Sequence, residues 1–384
     1  LYCSVLHGKK VLLLMDNAKD ASQVEPLIPP EGNLLLITSR QQFVLPGIFA
    51  KDLDQLQPED AVGLLLKIAG RIGEQAGRIA ELCGYLPLAL RVAASTLNKL
   101  KTISVENYIK KLEQADERVK LIDKCLGVSY ELLTEEQREL WRMLAVFPGD
   151  FHPIAAAAVW EMEAGKAEEA LGELVSFSLV ECEEETSRCR LHDLARDFAD
   201  SKLSEEERSV GRLRHAGHFE EVLIYAGGLY EKGGENILLG LRLFDVERHN
   251  IEVGQSWARD NSSVNKPAAS ICIGYVLSLG SNYILDLRLH AKERIEWLEA
   301  ARKAARRLED REGEGNHLGN LGNAYLRLGE TKKAIKIFKD LLKLHRELGD
   351  RRGEGLDLGN LGIAYANLGC LLYTSPSPRD RTRS

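Results

Sequence analysis

Three features that would place this chain in a common functional class are missing from its sequence. No apolar run approaches the roughly 20 residues of a membrane-crossing helix, so we expect no membrane partner. The 7 cysteines include no C-x-x-C pair, which argues against a zinc site. A formal net charge of −7 lacks the basic excess of a general nucleic-acid binder, so nucleic acid is not an expected partner either.

The cysteines and the start of the chain also indicate compartment and completeness. An odd number of cysteines, scattered from Cys3 to Cys370, is typical of free thiols in a reducing compartment, so we expect a cytoplasmic protein. Cys182 and Cys189 lie symmetrically about a predicted hairpin turn, but in a cytosolic protein we expect both to be reduced. Because the chain starts without Met and without a signal peptide, we expect it to be a fragment.

A phosphate-binding loop is also missing. The pattern G-x-x-x-x-G-K-[ST] occurs nowhere in the sequence. The stretch Gly8-Lys9-Lys10 comes nearest, but Cys3 stands where the first Gly should be and no Ser or Thr follows. Such loops hold nucleotide phosphates with a nest of backbone N–H groups and a lysine. We therefore expect this polypeptide by itself to bind nucleotide poorly or not at all.

Two short apolar runs near the start of the chain predict β-strands. Residues 11–17 read Val-Leu-Leu-Leu-Met-Asp-Asn and residues 34–40 read Leu-Leu-Leu-Ile-Thr-Ser-Arg. Unbroken runs of this length favour strands covered on both faces, as in a parallel sheet, and a buried helix is the alternative. Residues 18–33 are long enough for a crossover helix, with Asp20 as its N-cap and a proline-rich end.

Polar residues follow both runs and form the first candidate site. The carboxyl ends of parallel strands meet at one edge of a sheet, where ligands bind in open α/β folds. An Asp directly after a strand can hold magnesium through water, and an Arg can pair with phosphate oxygens. The alternative is a simple turn or helix cap. The candidate residues are Asp16, Asn17, Thr38, Ser39 and Arg40.

The next 150 residues predict helices and one hairpin. Pro58 opens one helix, and the stretch Gly84-Tyr85-Leu86-Pro87 separates two more. Residues 127–203 read as helices followed by two alternating segments around a turn, an order that resembles a winged helix. The last helix of this region begins Leu191-His192-Asp193, where His192 is either a helix-start residue or an anion ligand. Further on, the Gly-rich residues 226–236 predict a loop between helices, and residues 260–267 predict a polar linker.

An internal repeat occupies the C-terminal part of the chain. Gly-Asn-Leu-Gly-x-Ala-Tyr-x-x-Leu-Gly begins at Gly319 and again at Gly359, an offset of 40 residues. Apolar residues at helical spacing predict two helices per unit, and Gly322 and Ala324 should let a neighbouring helix approach closely. A pair of helical hairpins without a ligand is the alternative. The predicted core residues are Leu318, Leu321, Tyr325, Leu328, Ala334, Phe338, Leu341 and Leu348.

Taken in order, these motifs resemble the NB-ARC branch of the STAND NTPases, in particular bacterial-type regulators with tetratricopeptide repeats. The resemblance implies that Asp16 contacts magnesium, that Arg40 of Thr-Ser-Arg senses the terminal phosphate and that Pro87 packs beside the base. It implies that His192 reaches the β-phosphate of ADP. Asn17 stands where many members have a second acid, and Asn cannot take a proton from water, so hydrolysis should be slow.

The resemblance also gives a domain plan and a fold class. We expect a multidomain α/β plus α protein with a partial P-loop-type parallel sheet, a helical domain, a winged helix and an all-α tetratricopeptide superhelix. The predicted divisions are residues 1–55 (nucleotide-binding α/β), 56–115 (helical), 116–205 (winged helix), 206–285 (helical linker), 286–370 (repeats) and 371–384 (a tail resembling translated adapter sequence).

Three functional hypotheses follow. The first is a signalling ATPase switch whose intact form binds ADP or ATP with Mg²⁺, whose repeats bind a protein partner and which can form a nucleotide-dependent homo-oligomer. The second is a non-enzymatic repeat scaffold with a degenerate nucleotide domain, favoured by the missing loop and by Asn17. The third is a winged-helix transcription regulator, which the acidic residues of residues 155–174 disfavour.

Overall fold

The computed structural model describes residues 2–16, 18–39, 43, 45, 47–49, 51, 53, 55–114 and 121–374. It divides the chain into two compact units, Leu1–Gln55 and Leu56–Ser384. The first unit contains α1 (Tyr2–Leu6), β1 (Leu12–Met15), α2 (Ala21–Val24) and β2 (Leu34–Ile37). The second contains α3 (Pro58–Ile68), α4 (Ala76–Leu82), α5 (Pro87–Lys99), α6 (Val105–Gln114), α7 (Leu121–Glu131), α8 (Glu135–Met143), α9 (Pro153–Trp160), α10 (Ala164–Ser176), β3 (Glu181–Cys182), β4 (Cys189–Arg190), α11 (Asp193–Lys202), α12 (Glu205–Lys232), α13 (Asn236–Asn261), α14 (Lys266–Gly274), α15 (Leu279–Arg288), α16 (Ala291–Arg307), α17 (Arg311–Arg327), α18 (Thr331–Leu348) and α19 (Arg351–Thr374).

The first unit is built on two parallel strands joined by a short crossover. β1 and β2 pair in register from Leu12 opposite Leu34 to Met15 opposite Ile37. The crossover contains α2, whose N-cap is Asp20, with a carboxylate that accepts a hydrogen bond from the Gln23 backbone N–H at 3.1 Å. The parallel pair, the crossover helix and the Asp20 cap are therefore confirmed.

The expectation that these strands are covered on both faces is wrong for the described residues. One face packs against Ala18, Val24 and Leu45. On the other face, four leucines are more than half exposed, namely Leu12, Leu14, Leu34 and Leu36. A sheet of two strands with one short helix has neighbours for a single face, so alternate side chains stay in solvent.

Two helices after residue 55 begin at the prolines that the sequence indicated. α3 starts at Pro58 and α5 starts at Pro87, both at the first helical turn, where a proline costs no hydrogen bond. Around them lies a core that contains Leu65, Ile79 and fully buried Tyr108.

Between residues 121 and 203, five helices and one hairpin share a second core. The rings of Phe147 and Phe151 stack with their centroids 4.1 Å apart, and Trp141 donates a hydrogen bond from its indole N–H to the Leu179 carbonyl oxygen at 3.1 Å. β3 and β4 are antiparallel and only two residues long each. The predicted order of helices, hairpin and helix is present, with shorter strands than the alternation indicated.

Cys182 and Cys189 form a disulfide, which corrects the expectation that both are reduced. The two residues are direct partners in the antiparallel pair. The neighbouring Glu183 donates its backbone N–H to the Arg188 carbonyl oxygen, so the cysteines occupy the adjacent non-hydrogen-bonded position. At that position the Cα atoms come closest, here 4.0 Å apart, and both Sγ atoms point to the same face. The hairpin register, which places the two cysteines directly opposite each other, decides the pairing, whereas the expected compartment had favoured reduced thiols.

The helical region after residue 205 corrects two loop predictions. The Gly-rich segment 226–236 was expected to be a loop, yet α12 continues through Gly227 and Gly228 to Lys232. Gly227 is needed there because α15 crosses it closely: a Cβ on Gly227 would lie 2.4 Å from the Ser281 backbone nitrogen. The polar linker expected at 260–267 is also shorter, since α13 runs to Asn261 and α14 starts at Lys266.

In the part of the chain that the structure describes, no single helix is long and apolar enough to cross a bilayer. The pair α14 and α15, bent by 74°, reaches that length and composition only when both helices are taken together.

The repeat helices α16 to α19 follow the predicted 40-residue register. Phe338 and Ala334 are fully buried and Leu318 is nearly so. Leu328 and Leu348, which were predicted to face the core, are 37% and 46% exposed because each lies at the C-terminal end of its helix. α19 continues to Thr374, into the segment from 371 that was expected to be non-helical, whereas residues 375–384 lie outside the described residues.

Where α12 packs on its neighbours, the side chain of His215 is buried and that of Glu220 is partly buried. Burial lowers the pKa of His215 to about 3, so its ring is neutral in the folded protein. Burial also raises the pKa of Glu220 to about 7, with repulsion from Glu221 adding to the effect. The carboxyl group of Glu220 lies against Gly274 of α14, where a Cβ would leave it no room.

Replacing Glu220 with Gln should stabilise the protein at alkaline pH. The native pKa is raised above its unfolded value of 4.5, so the stability that Glu220 contributes is present below pH 4.5 and is lost as pH rises toward 7. Glu220→Gln should therefore raise the free energy of unfolding at pH 8 by on the order of 1 kcal/mol after solvent screening, and change it little at pH 4.5. Urea denaturation at both pH values measures this, with exposed Glu169→Gln as the control. Equal effects of Glu220→Gln at the two pH values would contradict it.

Candidate functional site

The carboxyl edge of the two strands brings three predicted site residues together. Asp16 follows β1 and Thr38 follows β2, and the Thr38 hydroxyl donates a hydrogen bond to the Asp16 carboxylate. Backbone bonds align the two strand ends: Thr38 N–H donates to Met15 O at 2.9 Å, and Ala18 N–H donates to Thr38 O at 2.8 Å. The Ser39 hydroxyl donates to the Ala18 carbonyl oxygen at 2.7 Å. These bonds hold Asp16, Thr38 and Ser39 at one edge of the sheet.

This edge offers an exposed carboxylate at a position that the backbone fixes. Asp16 is exposed, and the hydrogen bond from Thr38 leaves other lone pairs of its carboxylate available. Asn17 and Arg40, the other two candidates at this edge, lie outside the described residues. Chemically, the edge can accept hydrogen bonds from metal-bound water.

The residues present supply only one part of a magnesium–nucleotide site. Among the described residues no group of three or more His, Cys, Asp or Glu side chains could hold a metal. Mg²⁺ is normally held by one or two carboxylates together with nucleotide phosphates, so Asp16 is a suitable ligand only when phosphates are also bound. The 384 residues contain no G-x-x-x-x-G-K-[ST] loop to bind those phosphates. The donor set therefore does not fit a complete nucleotide site.

In the second unit, Pro87 is an exposed residue at the start of α5. The turn before it contains two consecutive left-handed residues, Gly84 with φ 57° and Tyr85 with φ 55°. A left-handed backbone costs a residue with a side chain about 1–2 kcal/mol, whereas glycine adopts it freely. The turn therefore holds Tyr85 in a conformation that a glycine would adopt without this cost.

His192 is exposed and caps α11 in the structure. Its Nδ1 accepts a hydrogen bond from the Leu194 backbone N–H at 3.3 Å. Asp193 forms an ion pair with Arg196 at 2.7 Å, and Arg196 also donates to the Pro148 carbonyl oxygen at 2.9 Å. The structural alternative for His192, a helix-start residue, is therefore present, and its role as a phosphate ligand stays a prediction.

Sequence reasoning missed the bonds that connect α5 to the hairpin. Arg91 of α5 donates to the Glu181 carboxylate of β3 at 2.8 Å, and the Ser95 and Ser178 hydroxyls hydrogen-bond at 2.7 Å. Partial burial favours a higher pKa for Glu181, but pairing with Arg91 and Arg190 outweighs this effect, so the pKa of Glu181 is lowered. These partners are separated by more than 80 residues, so no local pattern could have indicated them.

Comparison with known proteins finds a matching repeat family and several similar proteins. The tetratricopeptide repeat family matches residues 292–347. The regulatory protein AfsR of Streptomyces coelicolor is 37% identical over 63% of this chain and 26% of its own length. A putative HTH-type transcriptional regulator of Mycobacterium tuberculosis is 23% identical over 76% of this chain and 36% of its own length. The disease resistance protein RML1A of Arabidopsis thaliana is 29% identical over 36% of this chain and 15% of its own length.

A similar solved structure is the STAND protein with a tetratricopeptide repeat sensor from Pyrococcus horikoshii. It has 17% identity and a TM-score of 0.40 over 93% of this chain and 65% of that one. The chain spans about a quarter of the length of the first of the curated relatives that it matches. The repeat match and the similarity to AfsR and to the disease resistance protein confirm the resemblance that the motifs indicated, and residues 292–347 match the tetratricopeptide repeat family.

Proposed function

We propose that this chain belongs to a nucleotide-controlled signalling switch whose repeats bind a protein partner. The observation that supports this most is the strand edge, where an exposed Asp16 and the Thr38 hydroxyl lie side by side after adjacent parallel strands. In a protein that also supplies a phosphate-binding loop, Asp16 would orient the water around Mg²⁺. Arg40 would respond to the terminal phosphate, and His192 would contact ADP.

The switch requires that the two nucleotides stabilise different arrangements of the protein. A ligand shifts a conformational equilibrium only by its difference in affinity for the two states. A positive side chain that reaches only the terminal phosphate supplies such a difference, because ADP lacks that phosphate. The proposal further includes a winged-helix fold for residues 116–205, supported by the order of α7 to α11 and the β3–β4 hairpin, and a cytoplasmic location.

Replacing Asp16 with Asn in a version extended through the upstream coding sequence tests the proposal. Asp16→Asn should weaken Mg·ATP binding about tenfold, equivalent to 1.4 kcal/mol, because a neutral amide orients metal-bound water less well. Without Mg²⁺ the difference should disappear. Isothermal titration measures both. Asp20→Asn is the matched control, since Asn caps helices as well as Asp does and α2 stays intact.

Three outcomes would contradict the proposal. One is equal Mg·ATP affinity for the Asp16→Asn and Asp20→Asn proteins. Another is unchanged nucleotide binding and exchange in Arg40→Ala and His192→Ala variants. The third is an extended protein that binds no nucleotide, which would favour the non-enzymatic repeat scaffold. The 384-residue chain itself should bind ADP no more tightly than about millimolar, for want of a phosphate-binding loop.

A second candidate function is control of transcription, which the names of the bacterial relatives favour. The candidate winged helix is a poor DNA reader by itself, because α10 exposes Glu168, Glu169 and Glu173 against Lys166 alone. Fluorescence anisotropy with labelled random duplex DNA measures whether the extended protein binds DNA, as control of transcription requires. Binding that persists when residues 1–384 are tested alone would assign DNA contact to this chain.

A further inference from the structure

The β3–β4 hairpin is attached to two different helices, once on each of its strands. On the β3 side, the Glu181 carboxylate accepts a hydrogen bond from Arg91 of α5 at 2.8 Å. On the β4 side, Arg188 pairs with Glu247 of α13 at 2.5 Å. Each attachment is made by the residue directly before one of the two disulfide-bonded cysteines. The disulfide therefore lies between the two attachment points of the hairpin.

The two cysteines differ in their access to solvent. Cys182 is exposed, whereas Cys189 is 2% exposed. Cys189 also exchanges both of its backbone hydrogen bonds with Phe151, which is fully buried, each at 2.8 Å. A thiol from solution can therefore approach the disulfide from the side of Cys182.

The turn beside Cys182 is acidic. Residues 181–190 contain four glutamates and two arginines. Both arginines are paired with carboxylates, Arg188 with Glu247 and Arg190 with Glu181. Three glutamates of the turn are exposed, namely Glu183, Glu184 and Glu185. A negatively charged thiol is repelled at this position, and a positively charged thiol is attracted.

We propose that the Cys182–Cys189 pair is a thiol–disulfide exchange site that reacts with neutral or cationic dithiols and controls how firmly the hairpin holds α5 and α13. The strands are only two residues long each, so few backbone bonds replace the covalent link once it is broken. Reduction then loosens the hairpin, and with it the positions of Glu181 and Arg188. This inference goes beyond the proposed function and does not depend on nucleotide binding.

The exchange proceeds in two balanced steps. A thiolate of the reductant attacks the Sγ atom of Cys182, the disulfide bond breaks, and its electron pair goes to the Sγ atom of Cys189, which takes up a proton. The second thiol of the reductant then displaces Cys182, so the reductant leaves as a disulfide and Cys182 as a thiol. Two electrons and two protons pass to the hairpin, and the reverse reaction closes it again.

Two monothiols test the site on the full 384-residue chain. The oxidised protein is treated at about pH 8 with cationic cysteamine or anionic glutathione, then quenched with acid, and the mixed disulfides are mapped by mass spectrometry. The adduct should form on Cys182, and cysteamine should react at least threefold faster per thiolate than glutathione. About 1 M salt should remove this difference, and so should the double variant Glu184→Gln with Glu185→Gln.

Hydrogen exchange measures how firmly the hairpin is held. After reduction by dithiothreitol, the backbone amides of Phe151 and Glu183, which donate across the hairpin, should exchange about tenfold faster. The amides of α16 should not change. A double variant, Cys182→Ser with Cys189→Ser, should exchange at the faster rate without reductant.

Urea denaturation measures the coupling to the two helices. Arg91→Ala and Glu247→Ala should each shift the urea midpoint less in the reduced protein than in the oxidised protein, because the loosened hairpin no longer holds their partners in place. Glu252→Ala is the matched control on α13, since its partner Arg248 lies outside the hairpin and its shift should be equal in both redox states.

Four outcomes would overturn the proposal. The first is a disulfide that dithiothreitol does not reduce in the folded protein. The second is an equal rate for cysteamine and glutathione at low salt. The third is faster exchange in α16 as well, which would make the disulfide a support of the whole fold. The fourth is an equal effect of Arg91→Ala and Glu247→Ala in both redox states.

Discussion

Gly227→Ala should lower the free energy of unfolding by about 3 kcal/mol. The new methyl group would lie 2.4 Å from the Ser281 backbone nitrogen and 2.7 Å from the Gly280 carbonyl carbon. Both atoms belong to the backbone of α15, so no side-chain rotation can relieve the overlap and the two helices must separate. Overpacking of a buried contact typically costs 1–3 kcal/mol, and a backbone contact lies at the upper end. Urea denaturation followed by circular dichroism measures the change.

Gly228→Ala is the control at the next position of the same helix. No described atom lies within 4 Å of its added Cβ, so the substitution should stabilise α12 by up to about 1 kcal/mol through helix propensity alone. Because Gly280 meets Gly227 from the other side, Gly227→Ala and Gly280→Ala should be non-additive. If the Gly227→Ala and Gly228→Ala proteins have equal free energies of unfolding, α12 and α15 do not cross as closely as described.

Glu247→Ala should also lower the free energy of unfolding by about 3 kcal/mol. Glu247 is 6% exposed and pairs with Arg188 at 2.5 Å, and it also accepts a hydrogen bond from the Asn250 amide at 3.0 Å. Burial opposes the charge on Arg188, yet the carboxylates of Glu247 and Asp150 together raise the pKa of Arg188. Removing Glu247 leaves a largely buried guanidinium with one partner, and breaking a buried pair costs about 3–5 kcal/mol.

Glu252→Ala provides the contrast on the same helix. Glu252 pairs with Arg248 at 2.6 Å, but both side chains are more than a third exposed. Glu252→Ala should therefore lower the free energy of unfolding by only about 0.5 kcal/mol. A double variant, Arg188→Met with Glu247→Leu, should recover much of the loss, since apolar residues often replace a buried ion pair without cost. Chemical denaturation of the three proteins tests this. A double variant as unstable as Glu247→Ala would show that packing, and not the unpaired charge, sets the loss.

Much of the local architecture could be predicted from the sequence. Helices begin at Pro58 and Pro87, and the Asp20 cap follows from its position before an amphipathic turn. The side-by-side placement of Asp16 and Thr38 required only that two apolar runs be parallel strands joined by a crossover. Such features depend on residues near one another in sequence or on one topological rule, so the pattern carries enough information.

Other features were decided by contacts between distant segments. Cys182 and Cys189 pair because the hairpin register puts them opposite each other, and composition had favoured free thiols. Gly227 lies in a helix because α15 crosses there, although the local sequence favoured a loop. The bond between Arg188 and Glu247 spans 59 residues and has no signature in either segment.

The sequence by itself therefore determined where α3 and α5 begin, which residues end the two strands and the 40-residue period of the repeats. Only the tertiary structure decided that, among the described residues, one face of the strands stays exposed, that α12 and α15 touch backbone to backbone and that the ring of Phe338 fills the space beside Gly322. The physical reason is that helix caps and periodicity act over a few residues, whereas burial and close approach depend on which distant surface meets a given face.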